Sequence, residues 1–302
     1  MSETSMPPLV TLAIPLYRSR RFFDVIAGNI KNADYPNLEI LIGDRHLADD
    51  TVQALRAEFA GDARLRFITA TDEISWVEHY NLLLREGRGE YFLWMPHDDS
   101  YPPGYIGALV ERLEAVPEAV LAFGWCDTRG PDGNPHKEWP APPFSGNDDW
   151  SPRTAIRMFF GWNIGVAVRG VFRRAPVIEA GLVMPATSGG AYADVCWAFG
   201  MALFGRFEFV SETRCLKRFY PKSTHTYWDA PKRGELPRVM AGYLDAFVPS
   251  KRERVVAKVW LWIGAAANRA VLLVNAVTRR TLISEEALRG AFRWVLGFGL
   301  RG

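Results

Sequence analysis

The chain has 302 residues, 48% of them hydrophobic, which allows a sizeable core and argues against a largely disordered protein. A formal net charge of +2 hides an asymmetry: residues 1–213 carry 19 Lys/Arg and 28 Asp/Glu (net −9), whereas residues 214–302 carry 17 and 6 (net +11). Three well-separated cysteines, Cys126, Cys196 and Cys215, form neither a CxxC pair nor a disulfide framework, and the start MSETSMPPLV lacks a secretory signal, so a reducing, cytoplasmic setting is expected.

From the N-terminus, apolar runs alternate with helical periodicity. LVTLAIP predicts a strand, residues 20–32 a helix, LEILIG a strand and residues 49–59 a helix. RLRFIT, a helix over 76–85, a strand over 91–95, a helix over 103–116 and the strand AVLAFGW continue the series. Five strands alternating with four helices predict an α/β, Rossmann-like, doubly wound, mostly parallel sheet. Between 126 and 151 the composition turns to Gly, Pro, Asn and Asp, with PDGN reading as a tight turn. Then come the helix-like SPRTAIRMFF, the apolar VAVRGVFRR, a small-residue loop ATSGGAYA, a helix over 194–204 and the strand RFEFVS.

Beyond Pro249 one long helix is expected, then a second over about 285–296. The expected organisation is a main domain over 1–230, its halves meeting near 125/126, and a basic, amphipathic helical extension over 231–302. Lys258, Asn268 and Arg269 interrupt the long helix, so it should not span a membrane. Its Trp260, Trp262 and nearby Trp294 suit a helix lying on an anionic membrane surface, with packing on the main domain or on another subunit of a homo-oligomer as the alternatives. The basic end calls for a polyanionic neighbour, whether nucleic acid, anionic lipid or a phosphate-bearing substrate, unless the chain's own acidic part neutralises it.

Three Asp-Asp pairs occur, and their settings separate them. Asp49 and Asp50 precede a helix, where carboxylates cap free amides; Asp148 and Asp149 lie in a turn-rich loop. Asp98 and Asp99 instead end a buried strand, where ligands of open α/β sheets gather. Adjacent carboxylates repel unless something compensates, and Mg²⁺ or Mn²⁺ held by them together with substrate phosphates would do so. Asp44 ends the second strand, within reach of a nucleotide's base or ribose, and Tyr17 follows Pro15 where it could stack on a base. Asp194, after the small-residue loop and on the first turn of a helix, is placed either as a base or as an ordinary helix N-terminal acid.

Taken together these segments resemble an inverting glycosyltransferase of family 2, with the GT-A fold. The resemblance runs from about residue 8 to 225 through VTLAIPLYRSRRF, LEILIGDRHLADDT, EHYNLLLREGRGEYFLWMPHDD, NIGVAVRGVFRRAPVIEAGL, ADVCWAFGMALFG and CLKRFYPKSTH. It implies a donor site at Pro15, Tyr17, Asp44, Arg45, Asn81, Asp98, Arg218 and Lys222, a metal site at Asp99, Asp98 and His225, and Asp194 as catalytic base. It also implies a nucleoside-diphosphate sugar donor, a Mn or Mg cofactor and a glycan or lipid-linked acceptor, without nucleic acid. The chain departs from the family pattern at Tyr80 (usually Arg), Ala193 (usually an acid) and Arg45 (usually Asp). Because that Asp helps recognise uracil and an Arg fork can address guanine, a GDP-sugar stands beside a UDP-sugar. The rival readings are an inactive nucleotide-sugar-binding or membrane-associated relative and a nucleotidyltransferase; the latter calls for a Gly-rich phosphate loop where this chain has PLYRSRRF.

Overall fold

The unbroken apolar runs become the central strands of one sheet in the computed structural model, which describes residues 6–45, 49–70, 73–144, 150–220, 232, 234–278, 284 and 287–291, with 272–278 as backbone only. The strands are β1 (Val10–Leu16), β2 (Leu38–Asp44), β3 (Leu65–Thr69), β4 (Tyr91–Trp94), β5 (Ala119–Arg129), β6 (Val171–Arg173) and β7 (Arg206–Arg218). Their order is β3-β2-β1-β4-β6-β5-β7. Every residue of β1 and β4 is buried, which explains the missing polar alternation: helices cover both faces.

Pairing is parallel except at β6, which runs antiparallel to both β4 and β5. The mostly parallel sheet follows the sequence expectation, but β5 does not adjoin β4. Three residues, Val171–Arg173, return from the second half of the chain to fill the gap. Gly170 permits this close entry, because a Cβ there would lie 2.3 Å from the Ala122 carbonyl oxygen. A three-residue strand carries too little periodicity to assign an orientation from sequence, which is why VAVRGVFRR reads only as an apolar stretch.

Around the sheet lie α1 (Phe23–Asn32), α2 (Thr51–Glu58), α3 (Trp76–Glu86) and α4 (Tyr105–Ala115) from the first half of the chain. Ser75 starts α3 with a complete capping box to Glu78. Asp49 is structural, as expected, accepting hydrogen bonds from the Thr51 amide at 3.0 Å and the Arg20 amide at 3.2 Å. Asp50 differs: it occupies the cap position of α2 without a side-chain cap bond and pairs with Arg20 instead. The PDGN segment does turn tightly, with the Gly130 amide bonded to the Asn134 carbonyl. Asp148 and Asp149 lie outside the described residues. All three cysteines are free and buried, Cys126 and Cys215 facing each other across β5 and β7.

At the amino-terminal end of the sheet, buried Glu39 is held by Thr11 Oγ1 at 2.6 Å, the Arg88 amide at 2.9 Å and Arg66 Nε at 2.8 Å. Burial alone would raise its pKa, but these donors and the Arg66 charge outweigh it and hold the carboxyl below its ordinary value of 4.5. A lowered native pKa adds stability that is present above the unfolded value and lost as pH falls through the native one. Glu39→Gln should therefore flatten the acid limb of a stability–pH profile measured by urea unfolding; an unchanged slope below about pH 4.5 would contradict this role.

The second half of the chain adds α5 (Pro152–Gly161), α6 (Arg174–Glu179), α7 (Ala193–Phe204), α8 (Glu235–Phe247) and α9 (Lys251–Thr278). Helix α7 is apolar all round because it is an interior helix. Its Trp197 ring meets Trp94 of β4 at 4.9 Å and Phe172 of β6 at 5.1 Å, centroid to centroid. Both indoles find acceptors, Trp94 in the Tyr80 carbonyl and Trp197 in that of Leu182. Helix α8 packs on α7, and α9 packs on α5 and α8, with Leu261 fully buried. No helix among the described residues is long and apolar enough to cross a membrane.

Candidate active site

The loop after β4 is held from three sides. The Met95 amide bonds to the Ala13 carbonyl of β1, Ser100 exchanges two 2.8 Å hydrogen bonds with Leu216 of β7, and Asn29 of α1 grips the Asp99 carbonyl and the Tyr101 amide. This fixes Asp98 and Asp99 at the carboxyl end of the sheet. Asp99 is 0% exposed; its Oδ2 accepts a hydrogen bond from Arg169 Nε at 2.7 Å, while Oδ1 is buried with no partner among the described residues. Asp98 is half-buried, and burial together with the Asp99 charge raises its carboxyl above the ordinary range against the opposing pull of His97, Lys217 and Arg169. Among the described residues, no three His, Cys, Asp or Glu side chains gather as a metal cluster. A cation here would rest on Asp98 and the unpartnered Asp99 oxygen, completed by phosphate oxygens, which suits Mg²⁺ or Mn²⁺.

Tyr80 packs against Trp76 and Trp94 beside this loop. Burial, Asp98 and Asp99 all push its phenol up, Arg169 opposes them, and Asp194 adds to the rise, so all four charged groups act on one hydroxyl. Asp194 itself is half-buried on the first turn of α7, with Oδ1 accepting from the Val195 amide at 2.9 Å. Its approach loop is fixed at both ends. Ser188 donates through its amide and hydroxyl to Glu235 of α8, and Gly190 lies so near Trp76 that a Cβ would come within 2.2 Å of Nε1. Tyr192, two residues before Asp194, holds the left-handed φ of 59° that bulky residues avoid, and the residue is 51% exposed. Ala193, the residue before Asp194, is fully buried.

On the far side of β1, Arg45 lies over the Tyr17 ring, its Cζ 4.5 Å from the centroid, and donates a hydrogen bond to the Ile74 carbonyl. The guanidinium is thus half-buried against an aromatic face rather than turned to solvent. Pro15 is buried in β1 opposite Gly43, and Asp44 closes β2 next to Arg45. His97 bonds through Nδ1 to Ser19 Oγ at 2.6 Å, packs on Phe22, and is held below its usual pKa by burial. It ties the acidic loop to the segment that follows β1, a role that sequence leaves unassigned.

The expected residues do not all converge. Asn81, expected at the donor, spends its amide on the backbone of Met184: Nδ2 donates to the carbonyl and Oδ1 accepts from the amide, each at 2.8 Å. It latches α3 to the chain after α6. Arg218 ends β7 with a buried Nε that lacks a partner among the described residues, as a group awaiting an anion would. Lys222 and His225 lie outside the described residues. Sequence reading missed Arg169 and Lys217. Arg169 was detectable in principle: a lone cation within NIGVAVRGVF must meet an acid if it is buried.

A mostly parallel seven-stranded sheet flanked by helices is the Rossmann-like GT-A arrangement. The fold is shared with solved structures: S. aureus TarS 1-349 in complex with UDP-GlcNAc has a TM-score of 0.63 at 14% identity, covering 85% of this chain and 70% of that one. The mannosyltransferase PcManGT from Pyrobaculum calidifontis, in complex with GDP-Man and Mn²⁺, has a TM-score of 0.56 at 17% identity, covering 98% and 89%. Residues 11–177 match glycosyl transferase family 2, and the chain belongs to that family. An uncharacterized glycosyltransferase of Haemophilus influenzae is 29% identical over 107 residues, 35% of this chain and 33% of that protein. The O-antigen biosynthesis protein RfbC of Myxococcus xanthus is 25% identical over 154 residues, 50% of this chain and 12% of that protein. The chain thus spans a third or less of either relative's length.

Proposed function

We propose that this protein transfers a sugar from a nucleoside-diphosphate donor to an acceptor hydroxyl with inversion. The observation that carries the reading is the fully buried Asp99 beside Asp98 in the loop that follows β4, with Asp194 on the first turn of α7, the helix whose Trp197 packs on Trp94 of β4. Tyr17 and Arg45 flank the nucleobase and Asp44 the ribose, at the strand ends where such sheets bind ligands. Arg218 at the end of β7 faces the diphosphate.

Asp194 accepts the acceptor's hydroxyl proton as that oxygen bonds to the anomeric carbon; the bond from that carbon to the diphosphate breaks on the other face. One displacement with one base inverts the centre. A divalent cation, when bound, supplies Lewis-acid stabilisation of the departing diphosphate. Arg169 neutralises the inner carboxylate Asp99, leaving Asp98 as the outer ligand. The acceptor is a glycan or lipid-linked glycan of cell-surface polysaccharide or glycolipid synthesis, a reading supported by the relative named for O-antigen biosynthesis.

UDP-sugars are the first donors to test, and Arg45 over Tyr17 keeps GDP-sugars as the second reading. Thermal shifts with UDP-GlcNAc and GDP-Man, each with and without Mn²⁺, test both. One pair should stabilise the protein, by about 2.7 kcal/mol at a hundredfold excess over Kd. Asp98→Asn should abolish the Mn²⁺-dependent part of that gain. Failure of both donors to shift the transition, or an undiminished Mn²⁺ effect in Asp98→Asn, would overturn donor class or metal site respectively.

A further inference from the structure

Of seven large hydrophobic side chains exposed among the described residues, five belong to α9: Val255, Val256, Val259, Trp262 and Ile263, between 39% and 54% exposed. At about 100° per residue they share an arc of about 120°, continued by Ala266 and Ala270. The opposite face is the one used by the fold: Ala257 and Leu261 are buried, and Gly264 lies against Phe160 of α5. Helix α9 is therefore apolar on two sides, and only one is covered by the described residues. Nothing in folding the described chain requires the second.

Charge around this face is one-sided. Lys251, Lys258 and Arg269 line one edge within about 40° of Trp262, Arg254 lies behind them, and Arg252 sits within the face. Glu253 is the acid of α9, and it falls on the other edge. Lys258 is the partly compensated member of the row, at 2.7 Å from Asp245 of α8. An antiparallel contact with a second copy would set the cationic edge against itself. An apolar stripe bordered by Lys and Arg, with a Trp at the boundary, instead matches the interface of an anionic bilayer, where ring and aliphatic groups enter the acyl boundary and cations meet headgroups.

We propose that the Val255–Ile263 face of α9 is a docking surface for anionic phospholipid membranes. The helix lies flat in the interface, since neither its length of apolar sequence nor its charges permit spanning. Docking does not depend on the sugar-transfer reading, and the two fail separately.

The test is co-sedimentation of the full chain with vesicles of phosphatidylcholine alone or mixed with phosphatidylglycerol. Wild type should sediment with the mixed vesicles at low salt, weakly with phosphatidylcholine, and progressively less as salt rises. The double variant Val259→Asp/Trp262→Asp should lose at least about tenfold in partitioning with its melting temperature unchanged. Lys251→Glu/Arg252→Glu should lose only the preference for the anionic mixture. Absence of sedimentation with mixed vesicles overturns the proposal. So does a dimer that the aspartate variant converts to monomer in light scattering, which would assign the face to a second copy. A lower melting temperature in that variant, without lipid binding by wild type, would assign it to another segment of this chain.

Discussion

Asp194→Asn is expected to lower turnover by roughly 10²–10⁴-fold while leaving donor affinity unchanged. The amide keeps the shape of the carboxylate, and its Oδ1 can still accept from the Val195 amide, so α7 should begin as before. What is lost is the ability to take a proton. The measurement is nucleoside-diphosphate release with the donor selected by thermal shift, alongside calorimetric donor binding. Equal turnover in variant and wild type would remove Asp194 from the chemistry and leave it as a helix-terminal acid. A parallel loss of donor binding would point to a collapsed site rather than a missing base.

For Arg169→Met, the large effect is on stability: about 3–5 kcal/mol should be lost. The Arg169 side chain is 12% exposed and that of Asp99 0%, so removing the guanidinium strands a charge that already has one oxygen without a partner among the described residues. Asp99→Asn should cost less, since a neutral amide can still accept from Arg169. The double variant Arg169→Met/Asp99→Leu should recover much of the loss, because no unpaired ion is left in the interior. Urea unfolding of the four proteins measures these differences. A loss under about 1 kcal/mol for Arg169→Met, of the size expected for an exposed pair, would contradict the buried assignment.

The first half of the fold was legible because β1 and β4 are continuous apolar runs, β2 and β3 are mainly apolar, and the helices between them have clear periodicity, with Ser75 marking a helix start by its capping box. What escaped was set by distance in sequence. The antiparallel insertion of β6 depends on Gly170 approaching Ala122, and the pairing of Arg169 with Asp99 joins residues 70 apart. Asn81 shows the converse: a resemblance marks the position, but only the fold reveals its amide occupied by Met184. Similarly, amphipathicity shows that α9 has an apolar side, whereas its two apolar faces separate only when one is seen packed on α5.

Trp94, Phe172 and Trp197 interlock β4, β6 and α7 within ring separations of 4.9–5.2 Å. This makes the acidic loop and the start of α7 parts of one solid block, whose spacing is as incompressible as the core beneath it. Under the proposed chemistry, the distance between leaving group and base is a fixed gauge that acceptor recognition cannot retune. Acceptor preference then evolves in the segments around that gauge, Tyr192 and its loop first among them, so new glycans can be adopted while the cleavage of the donor stays the same.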